Sequence, residues 1–181
     1  MAAASFPSPA SGSAAATVAA MALALLEMSC KVTMKKSGEN LPISLNELGE
    51  IRQQCLYLAT EDMITLTEVV RAAKSKADFP DRYENAVKKA TEPLVAIVEN
   101  CELILTLIEQ LIDNSSKKVL GELAGSAYMA RAAAASAKLG IEINLGLLND
   151  ENYKEDVMIN ILGSYRKSTE AKDRILKNIK L

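Results

Sequence analysis

Apolar residues return at every third or fourth position along most of the chain, and the stops between these runs divide it into about five segments. The first carries Val18, Met21, Leu25, Met28 and Val32 at alternating steps of three and four, one face of a helix packed on other helices. Pro7 and Pro9 oppose helix ahead of it, and Gly12 and Ser13 provide an entry where a cap belongs. In the second segment Ser44 and Glu47 form a capping box, with Ile43 and Leu48 placed as its hydrophobic staple. Its stripe runs Leu48, Ile51, Cys55, Leu58, then Leu66, Val69 and Ala73, and closes before Asp78-Phe79-Pro80. At about 1.5 Å per residue that helix is on the order of 45 Å long.

A third helix starts near Pro80 and carries Tyr83, Val87, Ala90, Leu94, Ile97, Cys101, Ile104, Ile108 and Leu111. Val98, Leu105 and Ile112 add a second row, which predicts a central helix with neighbours on two sides, kinked at Pro93. Asn114, Ser115 and Ser116 offer a turn and cap. The fourth helix, roughly Lys117 to Leu139, is dominated by small residues, and Gly140 is placed to end it, with 141–148 read as a broken continuation. Asn149 or Asp150 can cap a last helix bearing Met158, Ile161, Leu162, Tyr165, Ile175 and Ile179. The pattern predicts an all-α, up-and-down bundle of about five long helices, with residues 1–181 as one domain.

Charge and composition remove several alternatives. The net charge is −2, and no basic stripe interleaved with aromatics appears, which argues against a nucleic-acid surface. The uncharged run from Ala14 ends at Glu27, short of the roughly 20 residues that a membrane span needs, and no Lys or Arg precedes Lys31 as a secretion signal would require. The Lys/Arg-rich C-terminal turn reads as a solvated helix end. Cys30, Cys55 and Cys101 are widely spaced and without a CxxC pair, so they read as reduced core residues. With no histidine, no zinc site is expected and acid-base chemistry falls to carboxylates, Lys, Tyr or Cys.

One residue breaks the apolar pattern. Between Leu58 and Leu66 the stripe of the second helix falls on Asp62, placing a carboxylate on the core-facing side, where burial raises its pKa and suits it to proton transfer. The same position is also compatible with the edge of the seam, a cap on a neighbouring helix or a pair with Lys. Glu122 is the second candidate, in the first turns of a small-residue helix, where helix-dipole complementarity is the alternative. Tyr57, Tyr128 and Arg131 are possible ligand contacts that periodicity does not decide.

The order of motifs resembles the cyclodeaminase/cyclohydrolase family that includes the C-terminal domain of formiminotransferase-cyclodeaminase. Pro9-Ala10-Ser11-Gly12-Ser13 before an Ala-rich helix resembles that family's Pro and Gly-Gly-Gly-Ser entry, and VTMKK at 32–36 its lysine-rich stretch. TEDMITL at 60–66 resembles its acidic segment, ATEPLVAI at 90–97 its Pro-containing helix, and residues 121–145 its Ser-Asp-led, Ala-rich helix, with Glu122 where the family has Asp. The resemblance implies a helical domain, commonly dimeric and cytoplasmic, acting on one-carbon substituted tetrahydrofolate without a metal or prosthetic group. It implies Asp62 and Glu122 as catalytic residues, with Ser11, Gly12 and Ser13 seating a ligand carboxylate or carbonyl and Lys35 and Lys36 attracting the glutamate tail of folate. The sequence departs from the family at Ala10 and Ser11, which replace two glycines, at the longer acid Glu122, and in the short MAAASF before the turn. The rival expectation is a non-catalytic bundle that binds folate or serves as a dimeric interaction module.

Overall fold

The computed structural model describes residues 10–37, 41 and 43–179. They form five long helices: α1 (Ser11–Ser37), α2 (Leu45–Ala73), α3 (Pro80–Leu111), α4 (Leu120–Leu145) and α5 (Glu151–Asn178). Two single 3-10 turns, Ile112–Asn114 and Lys117–Val119, join α3 to α4, and no strand occurs among the described residues. Helices α1 to α4 make a four-membered ring, with α5 laid across α3 and α4.

The ends form as their residues dictate. Ser44 caps α2 by accepting from the Asn46 amide at 3.2 Å. The expected box with Glu47 does not form: no bond joins Ser44 and Glu47 among the described residues and Glu47 stays exposed, while Ile43 and Leu48 are both buried as a staple. Ser116 caps the second 3-10 turn through the Lys118 amide, and Asp150 caps α5 through the Tyr153 amide. All twelve apolar positions expected in the two rows of α3 are buried, which makes it the central helix. Its helical assignment continues through Pro93 without interruption. Each fully buried Leu or Ile there contributes about 2 kcal/mol relative to exposure.

Two expectations fail, both because small residues govern close approach. On α1 the buried face is Ala15, Ala16, Ala19, Ala22, Leu23, Leu26 and Cys30, and the stripe of larger side chains points outward. Met21 is 54% and Val32 36% exposed, with Val18, Leu25 and Met28 half-buried between them. The alanines let α4 come near enough for the buried Ser126 hydroxyl to donate to the Ala22 carbonyl at 2.8 Å. By length and composition α1 is the one described helix able to cross a bilayer, and here its alanine face is an inner wall of the bundle.

The second correction concerns Gly140, which does not end α4. The helix runs unbroken to Leu145 and is capped at Gly146. A Cβ on Gly140 would lie 3.0 Å from Leu94 Cδ1, so this glycine permits the close crossing of α4 and α3. Smaller differences occur on α2, where Ala72 is buried in place of Ala73, and on α5, where Leu162 is exposed. α5 is held by Ile161, Ala171 and Ile175 in the core and, around them, by polar clasps: Lys88 to Asp150 at 2.6 Å, Lys167 to Glu102 at 3.0 Å, Arg174 to Glu109, and Arg131 stacked 3.9 Å from the Tyr165 ring centre.

Candidate active site at the start of α1

The first turn of α1 begins at the Ala10 carbonyl, which accepts from the Ala14 amide at 2.9 Å and the Ser13 hydroxyl at 3.0 Å. The early amides of a helix have no intrahelical acceptor. The Ser13 amide finds one in Asp62, whose Oδ2 it reaches at 2.7 Å from the middle of α2. The amides of Ser11 and Gly12 have no partner among the described residues and stand at the positive end of the helix dipole.

Asp62 is buried, with 6% of its surface exposed. Burial raises its carboxyl above the ordinary value, while the Ser13 amide and hydroxyl pull it down; burial prevails. Its other oxygen lies against Gly12: a Cβ there would sit 2.1 Å from Oδ1, 2.5 Å from Cγ and 2.6 Å from Leu94 Cδ2. Only a residue without Cβ fits between the carboxylate and Leu94. The same Leu94 meets Gly140 with its other methyl, so one side chain of α3 sets both the start of α1 and the far part of α4. Sequence reasoning missed Leu94, which reads as an ordinary core position, and took Gly140 for a stop.

One chain does not gather the whole expected set. Ser11, Gly12, Ser13 and Asp62 meet. Glu122, half-buried in the first turn of α4, lies beside the later part of α1, because Ser126 bonds to Ala22 and Gly125 faces Leu25. At 1.5 Å per residue that is roughly 20 Å along α1 from Ser13. Lys35 and Lys36 are exposed in the last turn of α1, roughly 33 Å from Ser13 by the same rise. Tyr57 and Tyr128 are exposed, and Arg131 is committed to Tyr165 and to the Thr169 hydroxyl.

The thiols are poor nucleophiles. Burial pushes Cys30 and Cys55 up to about 11 and Cys101 higher still. Among the described residues no three acids or cysteines converge as a metal site. A buried carboxyl with a raised pKa, beside helix-end amides that have no partner among the described residues, is suited to proton transfer.

The family description for formiminotransferase-cyclodeaminase matches residues 1–161. A methenyltetrahydrofolate cyclohydrolase of Methylorubrum extorquens is 25% identical over 190 aligned positions, covering 98% of this chain and 91% of that protein. In structure the chain is similar to the formiminotetrahydrofolate cyclodeaminase of Thermotoga maritima, with a TM-score of 0.89 and 24% identity, covering 96% of this chain and 89% of that one. The expected all-α fold and the expected resemblance are both borne out, and the chain belongs to the formiminotransferase-cyclodeaminase family.

Proposed function

We propose that the protein is an enzyme that makes or breaks the C–N bond at the one-carbon unit of a tetrahydrofolate, with Asp62 as its general acid and base. The observation that carries this reading is the buried Asp62 carboxyl, held by the Ser13 amide and pressed against Gly12, where two helix-end amides have no partner among the described residues. In the hydrolytic direction water adds to the methenyl carbon as Asp62 takes its proton. The carboxyl then returns a proton to the departing nitrogen, the hydroxyl proton leaves, and formyltetrahydrofolate results with one net proton released. In cyclodeamination the folate's own nitrogen is the nucleophile and the protonated amine leaves as ammonia. Ser11 and Gly12 present amides to a carbonyl or carboxylate of the ligand.

Glu122 enters this site only from a second copy. The outward stripe of α1, centred on Met21 and Leu25, is apolar, and no charged residue occurs from Val18 to Leu26, with Glu27 paired to Arg52. Two copies packed antiparallel by that stripe, about a two-fold axis near Met21, set Ser13 of one level with Ser29 of the other. Glu122 lies beside that turn, and Lys35 and Lys36 of the second copy then reach past the first turn of α1. A homodimer unites the two carboxylates and the lysines, where a single chain separates them. The protein acts as one helical domain in the cytoplasm on a diffusible folate, with no prosthetic group, membrane or nucleic-acid partner.

A specific observation favours the rival reading of a non-catalytic module: the Ser13–Asp62 bond is a sound helix cap in its own right. Hydrolysis of methenyltetrahydrofolate, followed by loss of its near-ultraviolet absorbance, separates the two. The enzyme reading expects a rate above the spontaneous one that vanishes in Asp62→Asn with the fold retained. If the wild-type protein matches the blank with this substrate and with formiminotetrahydrofolate, the non-catalytic bundle takes its place.

A further inference from the structure

A groove of about 520 Å³ lies between the last turns of α2 and the first turns of α3. On α2 its wall is Glu68, Arg71 and Ala72, spaced as one helical face; on α3 it is Arg82, Ala86 and Lys89, on one face likewise. Asn85 adds a neutral amide. Ala72 and Ala86 are buried and make a shallow floor, so the long side chains stand around an open space and do not fill it.

The cations that line this groove outnumber its acids. Of the six arginines, Arg52, Arg166 and Arg174 pair with acids and Arg131 stacks on Tyr165. Arg71 and Arg82 have no ion pair or ring partner among the described residues, and both line this groove. Lys89 likewise has no acid partner there. Three cations against the one carboxylate of Glu68 leave a lining charge of +3 − 1 = +2. Like charges gathered across two helices repel each other, whereas two planar guanidinium forks match the oxygen pairs of a carboxylate or phosphate.

We infer that the α2–α3 groove binds a small dianion, a phosphate ester or a dicarboxylate, held by Arg71, Arg82 and Lys89. This site is separate from the one at Asp62. Arg71 follows Asp62 by nine residues, about 13 Å along α2 and half-way round its circumference. The inference therefore stands whether or not the folate reading does.

Titration calorimetry of the full chain at constant ionic strength tests it, with inorganic phosphate and glutarate as probes. One of them binds at one site per chain with Kd below about 1 mM. The double variant Arg71→Gln, Arg82→Gln weakens that binding at least tenfold at unchanged helical circular dichroism, while Lys117→Gln, Lys118→Gln at the other end of the bundle leaves it intact. Tighter phosphate binding identifies a phosphoryl ligand, and tighter glutarate binding a dicarboxylate. No saturable binding of either probe, or equal weakening in both double variants, overturns the inference.

Discussion

The Cα of Gly12 and the carboxylate of Asp62 occupy adjoining space so tightly that a methyl group on the first would lie 2.1 Å from an oxygen of the second. Gly12→Ala must push Asp62 or Leu94 aside, at a cost of about 1–3 kcal/mol for overpacking. The expected result is a lower urea midpoint together with a loss of turnover larger than the fall in stability. Unchanged stability and activity would refute the packing described.

Asp62→Asn separates capping from chemistry. Asn keeps an oxygen that can accept from Ser13, so stability should change by only about 1 kcal/mol, while loss of a general acid and base costs about 10²- to 10⁴-fold in kcat. Asp62→Ala removes both functions and should fall in both measurements.

The raised pKa of Asp62 has a defined sign in stability. The folded protein holds this proton more tightly than the unfolded chain. The stabilisation from proton binding is present below the ordinary carboxylate value of 3.8 and is lost as pH rises through the higher folded value. Urea unfolding at a series of pH values should therefore show wild type losing ground to Asp62→Asn across that interval, then running parallel to it. A difference that grows in favour of wild type with rising pH contradicts the direction.

Met21 is 54% exposed in the centre of an uncharged helical stripe. On the proposed homodimer, Met21→Glu should leave circular dichroism unchanged, halve the mass in sedimentation equilibrium, and abolish activity. A wild-type protein that sediments as a monomer and still turns over folate removes the shared site.

Gly140 tests the close crossing of α3 and α4. Gly140→Ala gains about 1 kcal/mol of helix propensity and loses a similar amount against Leu94 at 3.0 Å, so its unfolding free energy should stay within about 1 kcal/mol of wild type. Gly140→Leu cannot be absorbed and should cost about 1–3 kcal/mol.

The stripe of α3 was readable because a central helix buries large side chains on two sides, and every expected position from Tyr83 to Ile112 is buried. On α1 the same periodicity picked the wrong wall. Hydrophobic spacing marks faces rich in large side chains, whereas the inner contact of α1 is made by alanines, whose small size sets the interhelical distance. Asp62 was visible as a polar residue in an apolar register, whereas Ser13 was marked by the entry motif as a ligand seat and not as the donor to Asp62. Leu94 was not visible, since its role depends on two glycines distant in sequence, Gly12 and Gly140, meeting its two methyls. The separation of Glu122 from Asp62 was equally hidden, because it depends on the antiparallel register of α1 and α4.

The bond from Ser13 to Asp62 also limits how this protein can change over time. One carboxylate both ties down the start of a helix and, in the proposed chemistry, exchanges a proton, so each charge state it visits alters the strength of a structural tie. A stronger grip by Ser13 makes the acid less ready to hold a proton, and a more willing proton carrier is a weaker anchor. Position 12 leaves no room for a side chain beside the carboxylate. Adaptation at this point is thus directed away from the pair itself, towards the neighbours that set how dry its surroundings are.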